Sequence, residues 1–461
     1  MKKTLLFFTL TLIFNISISG HRNYTQELID LLTQGRCFEA MDFKKQHKDS
    51  ISNDRFFSLF YQYHMASFFY KPDSAAIYLE EILQQKYESL WGPNIAGMRG
   101  TLLKLYDTSQ QYNKAIALCD TMIGYYKRNP FDMPEDYLEN EIDFAHNIQS
   151  AIRKKSAITS RISIVEDQIS KELKLSTDTN FICFDADYNN TPVKTLFDTG
   201  VSSYFFMRKS IADSIGVKTL NYQQDTIEVI NGIRMKATHG IVDSVKIGSL
   251  HLYNIPTVIF HDKFTANIPD SLLNKLDIIE KIKAIDSIQI IMGLPAMKLI
   301  GRFEFNWSKN TIHITSFTHN EESVPPNIYT INNNLYTLIN VNGLNLNSLI
   351  DTGDTKSFID IAVPFYEKNK SVFNLDSEQG NADLRHMYLG HTYSDIKYSV
   401  VLHPNIQFEG KVIKQGVHNI LIYDFPQDFI NVFDGIVGYR FFRKLGCKTI
   451  LDLNNMRLES K

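Results

Sequence analysis

Leu196-Phe197-Asp198-Thr199-Gly200 recurs later in the chain as Leu349-Ile350-Asp351-Thr352-Gly353. Each copy has two apolar residues followed by Asp-Thr-Gly, and the two aspartates are 153 positions apart. The apolar pair predicts a buried strand, and the glycine permits the sharp turn that leaves the aspartate at the end of that strand. A single Asp-Thr-Gly is a weak signal, because it also suits an ordinary turn.

The residues downstream of each copy strengthen the comparison. Ile291-Met292-Gly293 follows the first copy and Ile436-Val437-Gly438 follows the second. In both, a further glycine comes eight residues later, at Gly301 and Gly446, and leads into a closing apolar segment. Matched features in the same order indicate an internal repeat, with one unit over 178–318 and another over 327–461. Val324-Pro325-Pro326 is a natural linker between them.

Two such turns facing one another would bring two carboxyl groups into contact. Charges that close cannot both ionise easily, so the pair holds one proton between its members. The ionised member can take a proton from water while the protonated member polarises a carbonyl group. This chemistry hydrolyses a peptide bond without a metal, a cofactor or a covalent intermediate.

At these residues the chain resembles the aspartic peptidases, the superfamily of pepsin and the retroviral proteases. It is most similar to the bacterial retropepsin-like branch, with two units fused in one chain. The resemblance covers about residues 178–461 and implies an all-β bilobal fold acting as an endopeptidase on peptide or protein substrates. The resemblance implies that Asp198 and Asp351 are catalytic. It implies that the residues after them form the supporting turns, Thr199 and Gly200 in the first copy and Thr352 and Gly353 in the second. The strands that end at Gly293 and Gly438 are expected to lie beneath these turns and support them.

The chain departs from the family directly after each turn. The family usually carries Ala, Ser or Thr there to line the substrate cleft, and this chain carries Val201 and Asp354. An active peptidase and a protease-like cleft that binds peptides without turnover are therefore both open. A third alternative makes the N-terminal helices the functional surface and the β units a scaffold.

A hairpin signal lies within the first unit. Asn231-Gly232 separates two β-rich segments, which predicts a tight hairpin turn. In the resembling family such a hairpin folds over the substrate as a flap, so Asn231 and Gly232 are expected at the substrate cleft. For the second unit, residues 388–391 and residues 407–410 are two candidates for an equivalent flap, and one flap or two are both open.

The first 19 residues are typical of a secretory signal. Lys2 and Lys3 precede a short apolar stretch, and small residues end it near Ser19. The stretch is shorter than the roughly 20 residues of a membrane span. We expect cleavage near Ser19, export to the periplasm or medium, and no membrane span afterwards; an uncleaved anchor is the alternative.

Residues 24–172 are predicted to be α-helical. Three stretches have the pattern of two helices joined by a turn, with an alanine early in the second helix: Ala40, Ala76 and Ala115. This pattern weakly resembles tetratricopeptide repeats, whose period is about 34 residues. An irregular helical domain is the alternative. Either could bind a protein partner.

The composition excludes several other classes. The 461 residues are 44% hydrophobic, enough for more than one core, and the formal charge of −3 predicts no binding to nucleic acid. Four scattered cysteines have no metal-ligand spacing, although Cys37 and Cys119 could pair after export. The prediction is a multidomain protein, all-α and then all-β, that is monomeric because its two lobes pair with each other.

Overall fold

The structure is a computed structural model. It describes residues 23–129, 132–158, 162–167, 171–176, 181–229, 233–261, 288–316, 324–355, 358–375, 380–382, 396–402, 404–413, 420–423 and 433–461. The predicted secretory signal, the Asn231-Gly232 turn and residues 388–391 lie outside these ranges. The chain divides into two compact units, residues 1–161 and residues 162–461.

The first unit is built from helices. They are α1 (Tyr24–Thr33), α2 (Cys37–Gln46), α3 (Arg55–Phe68), α4 (Pro72–Ile82), α5 (Glu88–Trp91), α6 (Ile95–Thr108), α7 (Tyr112–Arg128) and α8 (Glu135–Ile158), with 3-10 turns at Gln85–Tyr87 and Gly92–Asn94. None of the helices in the described part of the chain is long and apolar enough to cross a membrane.

Three helix pairs, α1–α2, α3–α4 and α6–α7, are joined by the same three-residue turn. The middle residue of each turn has a left-handed backbone, with φ of 73° at Gly35, 48° at Tyr70 and 55° at Gln110. In each turn the next N–H bonds back to a carbonyl five residues earlier, at 2.8–2.9 Å. This is the Schellman arrangement that ends a helix. Identical turns favour repeated helical hairpins over an irregular helical domain.

The three alanines that the sequence singled out occupy equivalent places in these hairpins. Ala40, Ala76 and Ala115 each lie within the first five residues of a second helix, and each is buried. A small side chain there lets the paired helices approach closely. Cys37 and Cys119 are both free and buried, so the structure has them as packed thiols and not as a disulfide.

The predicted helical segment is too long at its C-terminal end. The helices end at Ile158, and the residues that follow form strands β1 (Ser163–Glu166) and β2 (Leu173–Lys174). Strand β1 belongs to the second unit and pairs antiparallel with residues 250–253 of the same unit, so that Ser163 lies opposite Tyr253. Ile162 and Ile164 are half-buried and Ser163 and Val165 are exposed, which is the period-two alternation of a strand.

The second unit is built almost entirely from strands. Those of its first lobe are β3 (Cys183–Tyr188), β4 (Thr191–Phe197), β5 (Phe205–Arg208), β6 (Lys218–Val229), β7 (Ile233–Ile247), β8 (Leu250–Phe260), β9 (Ile290–Met292), β10 (Arg302–Asn306) and β11 (Thr311–Thr315). Helices α9 (Lys209–Ser214) and α10 (Leu294–Ile300) follow β5 and β9.

The second lobe repeats this order. Its strands are β12 (Ile328–Ile331), β13 (Asn334–Val341), β14 (Leu344–Asp351), β15 (Ile359–Ala362), β16 (Gly380–Ala382), β17 (Ile396–Val401), β18 (Ile406–Phe408), β19 (Lys411–Val412), β20 (Ile420–Tyr423), β21 (Gly435–Gly438), β22 (Lys448–Asp452) and β23 (Arg457–Ser460). Helix α11 (Val363–Lys368), a 3-10 turn at Lys370–Val372 and helix α12 (Tyr439–Lys444) complete it.

The same strand pairing is found in both lobes. In the first, β4 is parallel to β9, β9 is antiparallel to β5, and β5 is parallel to β8. In the second, β14, β21, β15 and β20 follow the same sequence of parallel and antiparallel pairs. The predicted internal repeat is therefore also a repeat of topology.

One small sheet contains strands of both lobes. Its order is β2-β11-β10-β22-β23, and the central β10–β22 pair has one strand from each lobe. A mostly buried ion pair of 2.7 Å joins Arg302 on β10 to Asp452 on β22, directly opposite in register. The all-α then all-β bilobal class predicted from the sequence is confirmed.

Candidate active site

The first Asp-Thr-Gly turn begins where β4 ends. The N–H of Asp198 donates to the carbonyl of Met292 at 3.1 Å, which fastens the turn to the neighbouring β9. One carboxylate oxygen of Asp198 accepts the N–H of Gly200 at 2.9 Å. Asp198 is buried, although it is charged in its ordinary state.

The second turn has the same local geometry. Strand β14 ends at Asp351, whose carboxylate oxygen Oδ1 accepts the N–H of Gly353 at 2.9 Å. Asp351 is half-buried, so it is the more accessible of the two aspartates.

The threonines connect the two turns. The backbone N–H of Thr199 donates to the Thr352 hydroxyl at 3.0 Å, and the backbone N–H of Thr352 donates to the Thr199 hydroxyl at 3.0 Å. The hydroxyls donate in turn to the carbonyls of Ile350 and Phe197. All four groups are paired across the lobes, so the threonines fix the position of one turn relative to the other.

Each carboxyl group lies against the glycine of the other turn, so the two carboxyls are close neighbours. A Cβ atom on Gly200 would come within 2.7 Å of an Asp351 carboxylate oxygen, and one on Gly353 would overlap the Asp198 carboxylate. Glycine is therefore required at both positions for the aspartates to approach.

The strands predicted to support the turns lie against them. The carbonyl of Val201 accepts the N–H of Leu294 at 2.9 Å, and the carbonyl of Asp354 accepts the N–H of Tyr439 at 2.7 Å. Gly293 and Gly438 precede these donors, and a Cβ on either would strike the backbone of the residue after the turn. Gly293 and Gly438 must therefore be glycine, because a side chain would prevent the strand from packing against the turn.

Burial and mutual repulsion shift the pKa values of the pair upward. Burial is the main cause for Asp198, whose pKa is raised in spite of the stabilising N–H groups of Gly200 and Gly353. The pKa of Asp351 is raised well above its ordinary value by burial, by the charge of Asp198 and by the charge of Asp354. Such a pair retains a proton where isolated carboxyls are ionised.

The β6–β7 pair of the first lobe and the β16–β17 pair of the second are related by topology. Strands β6 and β7 pair antiparallel up to Val229 and Ile233, and the predicted turn at Asn231 and Gly232 comes between these residues in the sequence. In the second lobe β16 and β17 pair antiparallel, and β17 pairs with β20 as β7 pairs with β8. Residues 388–391 come between β16 and β17 in the sequence and lie outside the described residues.

The other predicted candidate for the second flap occupies a different place. Strand β18 pairs with β13 in the way that the last part of β7 pairs with β3. The turn at Glu409 and Gly410 therefore corresponds to the β7–β8 turn of the first lobe, and not to the β6–β7 hairpin. The sequence of β16 is too short to carry a strand signal of its own, which is why the pairing was not predicted.

Some contacts of the site come from backbone atoms that residue types do not reveal. The carbonyls of Met292, Ile350 and Phe197 accept the hydrogen bonds that position the turns. No group of three or more His, Cys, Asp or Glu in the described ranges is placed to hold a metal ion.

Comparison with known proteins gives a family match for part of the first lobe. Residues 184–293 match the family model described as Aspartyl protease. The match contains Asp198 and Gly293, and it confirms the resemblance of this segment to the aspartic peptidase superfamily. It supports a protease function for the chain.

A solved structure, a retropepsin-like aspartic protease from Rickettsia conorii, is 20% identical in sequence to this chain. The match covers 33% of this chain and 92% of that chain, with a TM-score of 0.20. No protein with a curated description matches this chain.

Proposed function

We propose that the protein is an exported aspartic endopeptidase that hydrolyses peptide bonds with water activated between Asp198 and Asp351. The observation that carries the proposal is the contact between the two carboxyls, held by turns that are joined through Thr199 and Thr352. Burial keeps one proton on the pair, which supplies both the base and the acid that hydrolysis needs.

The reaction proceeds in two steps. Water gives a proton to the ionised carboxylate and its oxygen bonds to the peptide carbonyl carbon, while the carbonyl oxygen takes the proton of the second carboxyl. The resulting gem-diol then collapses: the C–N bond breaks, the nitrogen takes the proton from the first carboxyl, and a diol hydroxyl returns a proton to the second. The pair ends as it began, with one proton.

The test is incubation with a mixed peptide library from pH 3 to 8, with and without a pepstatin-like transition-state mimic. We expect cleavage that the mimic inhibits and that Asp198→Asn and Asp351→Asn each abolish. A matched control is Asp213→Asn, which removes a carboxylate from an exposed ion pair with Lys209. Full activity in either dyad variant would exclude the shared-proton mechanism.

A peptide-binding protein without turnover is the second candidate. Val201 and Asp354, where the resembling family has small residues, favour it. It predicts that the library binds and that no product forms at any pH. If the N-terminal helical hairpins are the main functional surface, a protein partner should bind equally well to the Asp198→Asn variant.

The two-lobed unit supports action as a monomer, since it contains both aspartates. Activity per molecule should be independent of protein concentration over a wide dilution range, and a steep fall on dilution would contradict the proposal. Export is supported by residues 1–19 of the sequence. It is tested by cell fractionation and by N-terminal sequencing of the mature protein, which should begin shortly after Ser19.

A further inference from the structure

Trp307 directly follows strand β10 of the first lobe and makes two hydrogen bonds to the second lobe. Its backbone N–H donates to the carbonyl of Cys447 at 3.1 Å, and its indole N–H donates to the hydroxyl of Thr449 at 2.9 Å. Cys447 directly precedes β22, and Thr449 is the second residue of that strand. Trp307 thus joins the lobes through its side chain as well as its backbone.

The Thr449 hydroxyl extends this connection to helix α12. Thr449 is completely buried, and its hydroxyl donates to the carbonyl of Phe442 at 2.9 Å while it accepts the indole N–H. A hydroxyl can donate one hydrogen bond and accept another, so it links the two groups. A continuous chain of hydrogen bonds therefore runs from Trp307 to α12.

Aromatic rings make the same connection. The indole ring packs edge-on against Phe442 and Tyr439 of α12, with ring centroids 6.2 and 6.3 Å apart, and it stacks on Phe305 at 5.2 Å. Phe305 also packs edge-on against Phe442, at 5.2 Å. Both phenylalanines are completely buried. The indole ring therefore belongs to the core that holds α12 against the first lobe.

Helix α12 supports the turn that carries Asp351. The N–H of Tyr439, the first residue of α12, donates to the carbonyl of Asp354 at 2.7 Å. Asp354 directly follows Gly353, whose N–H donates to the Asp351 carboxylate at 2.9 Å. A displacement of α12 would therefore move this turn and, with it, the carboxyl of Asp351.

The turn that carries Asp198 is supported differently. Leu453 directly follows β22 as Trp307 follows β10, and its N–H donates to the carbonyl of Gly301 at 2.7 Å, so the backbone contact is repeated. The counterparts of Trp307, Thr449 and Phe442 in this half have no side-chain hydrogen-bond donor: Leu453, Phe303 and Met297. These side chains cannot form the chain of hydrogen bonds that Trp307 begins.

We propose that Trp307 is a positioning residue for the second aspartate: it holds α12 through Thr449 and the buried rings, and α12 fixes the turn of Asp351 in the geometry that hydrolysis requires. The first lobe thereby determines part of the geometry of the second lobe's half of the site. The inference deepens the proposed peptidase function and rests on it only for the effect on catalysis.

The position of the turns can be measured independently of catalysis. Gly200 and Gly353 each follow a threonine, and the sequence contains no other Thr-Gly pair. Protein labelled with carbonyl-carbon-13 threonine and nitrogen-15 glycine therefore gives one carbonyl-to-amide NMR signal for each turn. Thr352→Ser identifies the Gly353 signal, because that signal disappears from its spectrum.

Thr449→Val removes the hydroxyl and keeps every ring, so it should shift the Gly353 signal more than the Gly200 signal. Trp307→Leu, which gives the first lobe the residue type found at the equivalent place in the second, should also shift the Gly353 signal. Trp91→Phe is the matched control, since it removes a buried indole of the helical unit whose N–H also donates a hydrogen bond, at 2.7 Å. Neither signal should move in the control.

Peptide cleavage is measured on the same variants. Trp307→Leu should lower kcat by about 10–100-fold, because a misplacement of about 1 Å at a site can cost that much, and should leave KM within about twofold. Trp307→Phe, which retains a ring without the N–H, should recover part of that loss. Thermal unfolding establishes which variants are folded, and the nearly isosteric Thr449→Val decides the question if Trp307→Leu does not fold.

An unmoved Gly353 signal in Thr449→Val and in folded Trp307→Leu would overturn the inference, and so would a rise in KM at constant kcat. If the Gly353 signal moves and even the wild type cleaves no peptide, the inference about the turn stands and the proposed function fails. If peptides are cleaved and the variants keep both the wild-type kcat and the wild-type Gly353 signal, the proposed function stands and the inference fails.

Discussion

Thr199 and Thr352 bind each other reciprocally beneath the paired aspartates: each hydroxyl oxygen accepts the other residue's backbone N–H at 3.0 Å. Each hydroxyl also donates to a carbonyl of the other lobe, Thr199 to Ile350 at 2.7 Å and Thr352 to Phe197 at 3.0 Å. Both threonines are buried. Four hydrogen bonds therefore join the lobes at the point where the chemistry is proposed to occur.

Replacing Thr352 by Val should destabilise the two-lobed unit by about 2–4 kcal/mol, because the N–H of Thr199 and the carbonyl of Phe197 lose their buried partner. Thr352→Ser keeps the hydroxyl and should recover most of the loss. Urea unfolding can be followed through Trp307 in a Trp91→Phe background, because the chain has only two tryptophans and Trp91 lies in the helical unit. Equal urea midpoints for Thr352→Val and wild type would show that the hydrogen bonds of the Thr352 hydroxyl contribute nothing to stability.

Gly353→Ala should reduce peptide cleavage by about 100-fold or more, since the added Cβ overlaps the Asp198 carboxylate and displaces one aspartate from the other. The matched control is Gly97→Ala in helix α6, where a Cβ meets nothing within 4 Å. That control should stabilise the helical unit by about 0.5–1 kcal/mol and leave cleavage unchanged. Comparable activity in Gly353→Ala and wild type would contradict the arrangement of the site.

Asp351→Asn should be inactive and yet more stable than wild type at neutral pH. The pKa of Asp351 is raised by burial, so the folded state keeps a proton that the unfolded state releases, and stability falls as the pH rises above the unfolded value near 4. Asparagine does not titrate. The difference in unfolding free energy in favour of Asp351→Asn should therefore be absent below about pH 4 and reach at least about 1 kcal/mol at pH 7. Urea unfolding at several pH values measures it; a difference independent of pH would contradict this account.

The repeated turns were predictable because their residues are local and unusual. Asp-Thr-Gly after two apolar residues specifies a strand, a turn and a carboxyl at its end, and the later glycines show where bare backbone is needed. The pairing of Arg302 with Asp452 was not predictable in this way, since 150 residues separate them and no pattern in either segment indicates its partner.

Short strands were missed for a related reason. Strand β16 has three residues and β2 has two, so neither can display the alternation on which strand prediction depends. Their positions follow from partners elsewhere in the fold. The tertiary context, and not local preference, makes them strands.

The helical unit should become less stable in mild acid because of His64. Burial among aromatic rings, with Phe60 at 4.5 Å and Tyr63 at 4.9 Å between centroids, lowers the pKa of His64 to about 3. The unfolded chain binds a proton below about pH 6.5, and the folded chain does not. Stability is therefore full above that pH and should fall by about 2 kcal/mol at pH 5.

His64→Phe keeps a ring in the aromatic cluster and removes the titration, so its unfolding free energy should change less between pH 7 and pH 5. Trp91, observed in a Trp307→Phe background, reports on this unit separately from the two-lobed unit. The same pH dependence in His64→Phe and in its parent would assign the acid sensitivity to other groups.

The charge of Asp354 should also favour basic residues in the substrate. Its influence on both aspartates agrees with a place beside the cleft, and a Lys or Arg side chain bound there would meet a carboxylate in a half-buried site. Such an ion pair contributes about 1 kcal/mol, or roughly a fivefold preference in kcat/KM over an uncharged side chain of similar length. Asp354→Ala should remove that preference, and Asp354→Asn, which keeps the shape, should remove it equally. The measurement compares paired peptides that differ only in Lys against norleucine at each position around the cleaved bond. If the ratio of their kcat/KM values is the same in wild type and in both variants, the Asp354 side chain serves only the local turn.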